Sequence, residues 1–228
     1  MIKTLTQAKE IVGGLSSPSK MPGRAYSLPA QRCITGQKLA KIPGTVCSHC
    51  YADNRGNYRF KNVKKALEKR YQLTMRAANA VSRFGAFAGG KFRAKFITAM
   101  VKLINHYSPE HFRWHDSGDL QSIAHLELIT EVCRATPNTK HWLPTREYSI
   151  VKRWAVMGGV VPDNLVIRMS AHKLEQQLEL RDAPRGIVAS SVDSGEGYRC
   201  PALQQDNSCG DCRACWNPDT ANIDYHRH

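Results

Sequence analysis

Four short apolar runs, Phe112-Arg113-Trp114-His115, His141-Trp142-Leu143, Leu165-Val166-Ile167-Arg168-Met169 and Ile187-Val188-Ala189-Ser190, decide how this chain folds. Each is strand-length, and helical patterns near residues 121–135, 147–157 and 172–180 separate them. Strands recurring at about 20 to 30 residues with helices between them require crossovers, which are right-handed, and hence a parallel sheet. The fold class is therefore α/β, and the expected architecture is a partial parallel β/α barrel.

In such folds ligands bind at the carboxyl ends of the strands. The residues that fall there are polar: His115-Asp116-Ser117-Gly118-Asp119, Thr145-Arg146-Glu147, Ser170 with His172, and Ser191-Val192-Asp193. Any one of these clusters reads equally as a helix cap. Four together predict a functional rim.

Working towards the N-terminus, a helix is expected over residues 58–83, with Phe60, Val63, Leu67 and Tyr71 inward and Lys61, Lys64, Lys65, Lys69 and Arg70 outward. Phe84-Gly85-Ala86-Phe87-Ala88-Gly89-Gly90 reads as a break before a second helix over residues 91–106. Residues 20–30 read as a short strand or extended arm. Thr6 is expected to cap a helix over residues 7–12.

The eight cysteines fall into two groups and one singleton. Cys33, Cys47 and Cys50 are spaced C-x13-C-x2-C, and Cys200, Cys209, Cys212 and Cys215 are spaced C-x8-C-x2-C-x2-C with Pro201 after the first. Successive x2 steps plus a distant cysteine before proline match ferredoxin-type [4Fe-4S] ligation, while a four-thiolate zinc site is the alternative. The N-terminal trio gives a cluster three protein ligands and leaves one iron open; His49 is the rival fourth ligand and would make a Cys3His zinc knuckle. Gly195 and Gly210 suit a chain wrapped closely round a cluster. Cys133 reads as a small buried hydrophobe. His106, His111 and His125 have no partner spacing and read as structural, and His226 and His228 fall in a tail expected to be disordered.

The net charge of +14, from 33 Lys and Arg against 19 Asp and Glu, makes a nucleic acid or nucleotide partner plausible, with a merely solvated basic surface as the alternative. No run is long enough for a membrane span, and residues 1–12 are too polar for a signal peptide, so a cytoplasmic protein is expected. Reducing conditions there favour metal-bound over disulfide-bonded cysteines.

Tyr26-Ser27-Leu28-Pro29-Ala30, Cys47-Ser48-His49-Cys50-Tyr51-Ala52, Arg113-Trp114-His115-Asp116-Ser117-Gly118-Asp119, Thr145-Arg146 and Cys200-Pro201-Ala202 with Cys209, Cys212, Cys215 and Trp216 together resemble the phage family called gene product 88. That resemblance spans about residues 20–216 and implies an infected host cell as the setting. A wider similarity is to the radical S-adenosylmethionine enzymes, whose usual cysteine motif has a first gap of three residues where this chain has thirteen. It implies an open cluster on Cys33, Cys47 and Cys50 with Tyr51 beside it and a cofactor motif at Ser117-Gly118-Asp119; Ser170 and Asp193, from their place on the rim, are read as further cofactor contacts. On the rim, Asp116, Asp119 and Arg146 are read as the residues that act in catalysis through contacts to cofactor or substrate. An auxiliary cluster would sit on Cys200, Cys209, Cys212 and Cys215, and an electron donor would be needed. Residues 1–57 would form an arm with the first motif, 58–195 the α/β core and 196–228 a cysteine-rich extension of a single compact domain. Two other readings stand beside this one: a nucleic-acid-binding protein with structural clusters or zinc, and a hydrolase or nuclease with a metal on His115, Asp116 and Asp119.

Overall fold

The computed structural model describes every residue except Met1, Asn54, Arg181 and His228. Among the described residues it contains one seven-stranded, wholly parallel sheet and six α-helices. The strands are β1 (Arg24–Tyr26), β2 (His111–Trp114), β3 (Lys140–Thr145), β4 (Leu165–Ser170), β5 (Ile187–Val192), β6 (Tyr198–Arg199) and β7 (Asn222–Tyr225), in spatial order β1-β2-β3-β4-β5-β7-β6. The sheet is open, with β1 and β6 as its edges.

Because β1 to β5 are neighbours in chain order, each right-handed crossover steps the same way and lands on the same face. The helices are α1 (Leu5–Val12), α2 (Ile34–Leu39), α3 (Lys61–Ala78), α4 (Ala80–Tyr107), α5 (Ile123–Arg134) and α6 (Tyr148–Val156). Tyr26, Phe112, Trp114, Leu143, Leu165, Ile167 and Ile187 from the sheet join Phe96, Met100, Leu103, Leu126, Ile129, Val151 and Trp154 from the helices in one core. Trp142, Arg168 and Ser190 alternate onto the other face. All six residues of β4 are buried, so that face is also covered.

Its cover is the C-terminal segment. Trp216 packs edge-on against Trp142 at 5.3 Å and donates from Nε1 to the Phe112 carbonyl at 2.9 Å. Arg168 donates to the carbonyls of Cys215, Ala214, Asn217, Thr220 and Ala189 at 2.8 to 3.1 Å. A buried guanidinium thus satisfies the otherwise orphaned carbonyls of an irregular segment. The cysteine-rich end is no appendage: it ends in β7, which pairs with β5 inside the sheet. The expectation of a disordered tail fails through His226, whose ring contacts Arg199; His228 lies outside the described residues.

Local differences have local causes. The first helix is capped by Thr4, whose side chain accepts from the Gln7 amide while Gln7 reaches back to Thr4, so the cap lies two residues before Thr6. The expected break at residues 84–90 is present: Gly85 lies at φ 75° and ψ 169°, and it divides the α4 span into a short first part and a long second part that packs back on it through Gly89. α3 ends at Ala78 rather than near residue 83. Residues 172–180 form no helix; that segment hydrogen-bonds the 44–46 loop and the end of β5.

Candidate functional site

The carboxyl ends of β1 to β4 form a mouth, and Cys33, Cys47 and Cys50 gather there. Cys33 follows a 3-10 turn (Ala30–Arg32) just beyond β1. Cys47 lies on the 3-10 turn Val46–His49, fastened to the exit of β4 by Val46 N to His172 O and Leu174 N to Gly44 O, each 3.0 Å. Gly36 separates the first two thiols: a Cβ there would lie 3.7 Å from each of the Cys33 and Cys47 sulfurs and 3.0 Å from Cys33 Cβ. A side chain would fill the space between them. Burial pushes the Cys33 thiol well up, and Asp119, Cys50, Cys47 and Glu147 push it further. Cys47 is raised by burial too, against the opposing pull of Arg146.

Around the thiols the rim residues are tied to one another. Asp119 accepts from Thr145 Oγ1 at 2.6 Å, the Leu120 amide at 2.7 Å and the Arg146 amide at 2.9 Å, locking the exits of β2 and β3 together. Burial lifts its carboxyl to about 6 despite these bonds. Glu147 accepts from the Thr35 amide and hydroxyl, both at 2.7 Å, and so holds α2 against β3. Asp116 is held by Arg113 at 3.3 Å and by the Tyr58 hydroxyl at 2.8 Å, and its carbonyl accepts from Tyr51.

Ser117 and Gly118 set the register of the first two strand exits. Ser117 exchanges backbone and hydroxyl bonds with Leu28, and Gly118 lies at φ 79° with Leu28 so close that a Cβ would approach it to 2.6 Å. Ser170 is bonded by Ser190 Oγ at 3.0 Å, and its carbonyl by Tyr148 at 2.6 Å. Asp193 does not join the mouth. It sits at the end of β5, where Arg199 at 2.9 Å bridges it towards Asp224 and His226.

His115 also turns away. With φ 55° its ring enters the helix layer edge-on to His125 at 5.2 Å, and none of the four ring nitrogens has a hydrogen-bond partner. It therefore does not meet Asp116 and Asp119 as a metal-ion triad would need. Among the described residues, no three His, Cys, Asp or Glu side chains are gathered tightly enough to hold a single metal ion. His49 is exposed. One zinc ion draws every thiolate to about 2.3 Å from one centre. A cluster instead binds each cysteine through a different iron, so its thiols need not converge on one point.

The second group lies across the non-helical face. Cys200 follows β6, its amide bonded to Asp224 O at 2.9 Å. The Cys209 amide reaches Lys20 O at 2.8 Å, and Cys212 lies 3.4 Å from the Tyr198 hydroxyl. Cys215 is 3.1 Å from the Tyr225 hydroxyl, and burial raises its thiol to about 11 against the pull of Tyr225, Arg168 and Arg113. Cys209 feels Cys200 and Cys212 as neighbouring charges, with Arg113 and Arg213 opposing them. All eight cysteines are free thiols. A group of four thiols surrounded by arginines suits a thiolate-bound centre of net negative charge.

Arg113 connects the two groups. It stacks 4.3 Å over Trp142, pairs with Asp116 of the mouth, and lies within the electrostatic reach of Cys215 and Tyr225. Reading by motif passes over Arg168, Asp224 and Gly36. A charged residue in an otherwise apolar strand was the available signal for Arg168. Asp224 had none, since its partners Ser191, Ser194 and Arg199 are 25 or more residues away.

Fold and site together define a class: an open, parallel α/β sheet with one group of thiols at its mouth and a second in the segment that covers its non-helical face. The family model of Gene product 88 matches residues 2–218, and the chain belongs to that phage family. No curated protein matches the chain, and no solved structure does.

Proposed function

We propose that this protein is an iron-sulfur enzyme of the radical S-adenosylmethionine type, with an open [4Fe-4S] cluster on Cys33, Cys47 and Cys50 and an auxiliary cluster on Cys200, Cys209, Cys212 and Cys215. The observation that carries the reading is the meeting of Cys33 and Cys47 round the space left by Gly36 at the carboxyl end of the sheet, with Cys50 close enough to act on the Cys33 thiol electrostatically. The sheet is open and not the partial barrel expected from the sequence, so the reading rests on the thiols at its mouth and on the parallel α/β order alone. When bound, a reduced open cluster supplies one electron to a sulfonium cofactor.

The chain's own residues have narrower tasks. Glu147 and Asp119 are engaged by Thr35, Thr145 and backbone amides, which leaves the thiols as ligands. Arg146, beside Cys47, offers a cation to a cofactor carboxylate, with its Nε held by the Ala171 carbonyl at 3.3 Å. Asp116, fixed by Arg113 and Tyr58, presents an oriented acceptor at the rim.

Anaerobic purification with iron, sulfide and zinc analysis, followed by electron paramagnetic resonance with and without S-adenosylmethionine, tests this. Iron and sulfide for two clusters are expected, with one signal moved by the cofactor and lost in Cys33→Ser. Zinc without sulfide would sink it.

A further inference from the structure

Between Arg55 and Tyr107 the chain carries thirteen Lys and Arg and a single acid, Glu68, a net +12 of the total +14. The rest of the molecule is close to neutral. This charge is concentrated on the hairpin of α3 and α4, and Glu68 is itself paired at 2.8 Å with Arg32, next to Cys33. Lys61, Lys65, Lys69 and Arg76 fall within an arc of about 80° on α3 at 100° per residue, forming a stripe roughly 22 Å long.

Exposed aromatic rings mark both ends of that stripe. Phe60 is 47% exposed where α3 begins, and Phe84 and Phe87 are 47% and 77% exposed at the start of α4. Each has a cation over its ring: Arg59 at 5.1 Å, Arg83 at 5.8 Å and Lys91 at 4.0 Å. Aromatic rings beside a basic stripe are the combination with which proteins hold single-stranded nucleic acid.

We infer that the α3–α4 hairpin is a docking track for single-stranded nucleic acid, with lysines gripping phosphates and the three phenylalanines stacking bases. Stacking needs base faces that a duplex hides, which favours a single strand. An anionic membrane would call for one continuous apolar face, whereas these rings lie at opposite ends of a charged stripe. The track begins at the mouth: Tyr58, two residues before Phe60, donates to Asp116 and lies edge-on to Tyr51 at 6.0 Å. That the strand is the substrate rests on the proposed chemistry of the mouth; that it binds does not.

The test is fluorescence anisotropy of the full chain with a labelled thymidine 20-mer, the matching duplex, and phosphatidylserine vesicles, across a salt series. The 20-mer should bind in preference to the duplex. Phe84→Ala/Phe87→Ala should weaken it at least about tenfold. Lys65→Gln/Lys69→Gln should lower the salt slope by about two, and Lys152→Gln/Arg153→Gln on α6 should leave affinity within about twofold. Photo-crosslinking with 4-thiothymidine should label residues near Tyr58 and near Phe87. Equal duplex binding, indifference to the phenylalanine variants, vesicle binding in place of the oligonucleotide, or adducts confined to another face would each overturn the inference. Binding retained in Cys33→Ser, or without any cluster in the wild type, supports the track and isolates a failure of the mouth; clusters without binding sink the track alone. Circular dichroism checks that each variant is folded.

Discussion

Three buried histidines tie this protein's stability to pH. Burial, then the nearby Arg93, lowers His125 to about 3, and burial also lowers His141 to about 3 and His115 well below its ordinary value. The folded state holds these rings neutral while the unfolded chain protonates them near 6.5. Their contribution is complete above that value and is lost as pH falls from 6.5 towards 3. His125→Phe removes one ring and two unpartnered buried nitrogens. It should reduce the loss of stability on acidification by up to about 1.4 kcal/mol per pH unit in that window, read as urea midpoints from pH 7 to pH 4; an unchanged slope would assign the acid sensitivity elsewhere. Gly118→Ala combines a left-handed backbone with a Cβ driven onto Leu28 and should cost about 2 to 4 kcal/mol. Thermal denaturation measures it, and a variant as stable as the wild type would mean that the β1 and β2 exits can part.

At the scale of elements, β4 is the hinge between core and cover. Its alternate residues Leu165, Ile167 and Met169 face the helix layer and the core, while Arg168 on the other face alone ties down five carbonyls, four of them in residues 214–220. Arg168→Met keeps the volume and strands those acceptors. It should cost about 3 to 5 kcal/mol and speed proteolysis within residues 200–220, while α3 and α4 stay protected; uniform protection would show that Trp216 holds the cover unaided. The α/β alternation that builds these elements was readable locally, since four strands and two crossover helices follow the apolar runs closely. Residues 172–180 had helical spacing but are drawn into bonds with Gly44, Val46 and Val192, so tertiary contacts prevailed over periodicity. At Gly85 the local reading held: the backbone leaves the helical region at φ 75° and ψ 169°, and the chain folds back so that Gly89 packs against the Ala80 backbone, a close approach only glycine permits.

For the whole molecule, the C-terminal segment acts as part of the sheet. A chain ending at Ser194 would lose β6, β7 and the segment over Trp142 and Arg168. We expect it to be insoluble or unfolded by circular dichroism, whereas a detachable extension would leave the helical spectrum intact. No helix is long and apolar enough to cross a membrane among the described residues. The sequence by itself determined the parallel α/β class, the two cysteine groups and the basic stretch, because each is written in local period, spacing or composition. Only the tertiary structure decided that Cys33 meets Cys47 and Cys50 across thirteen residues, that His115 leaves the rim, that Asp193 belongs to a different corner from Asp119, and that the tail is a strand. Those outcomes depend on contacts between distant residues, whose closure entropy is repaid only once the whole sheet has assembled.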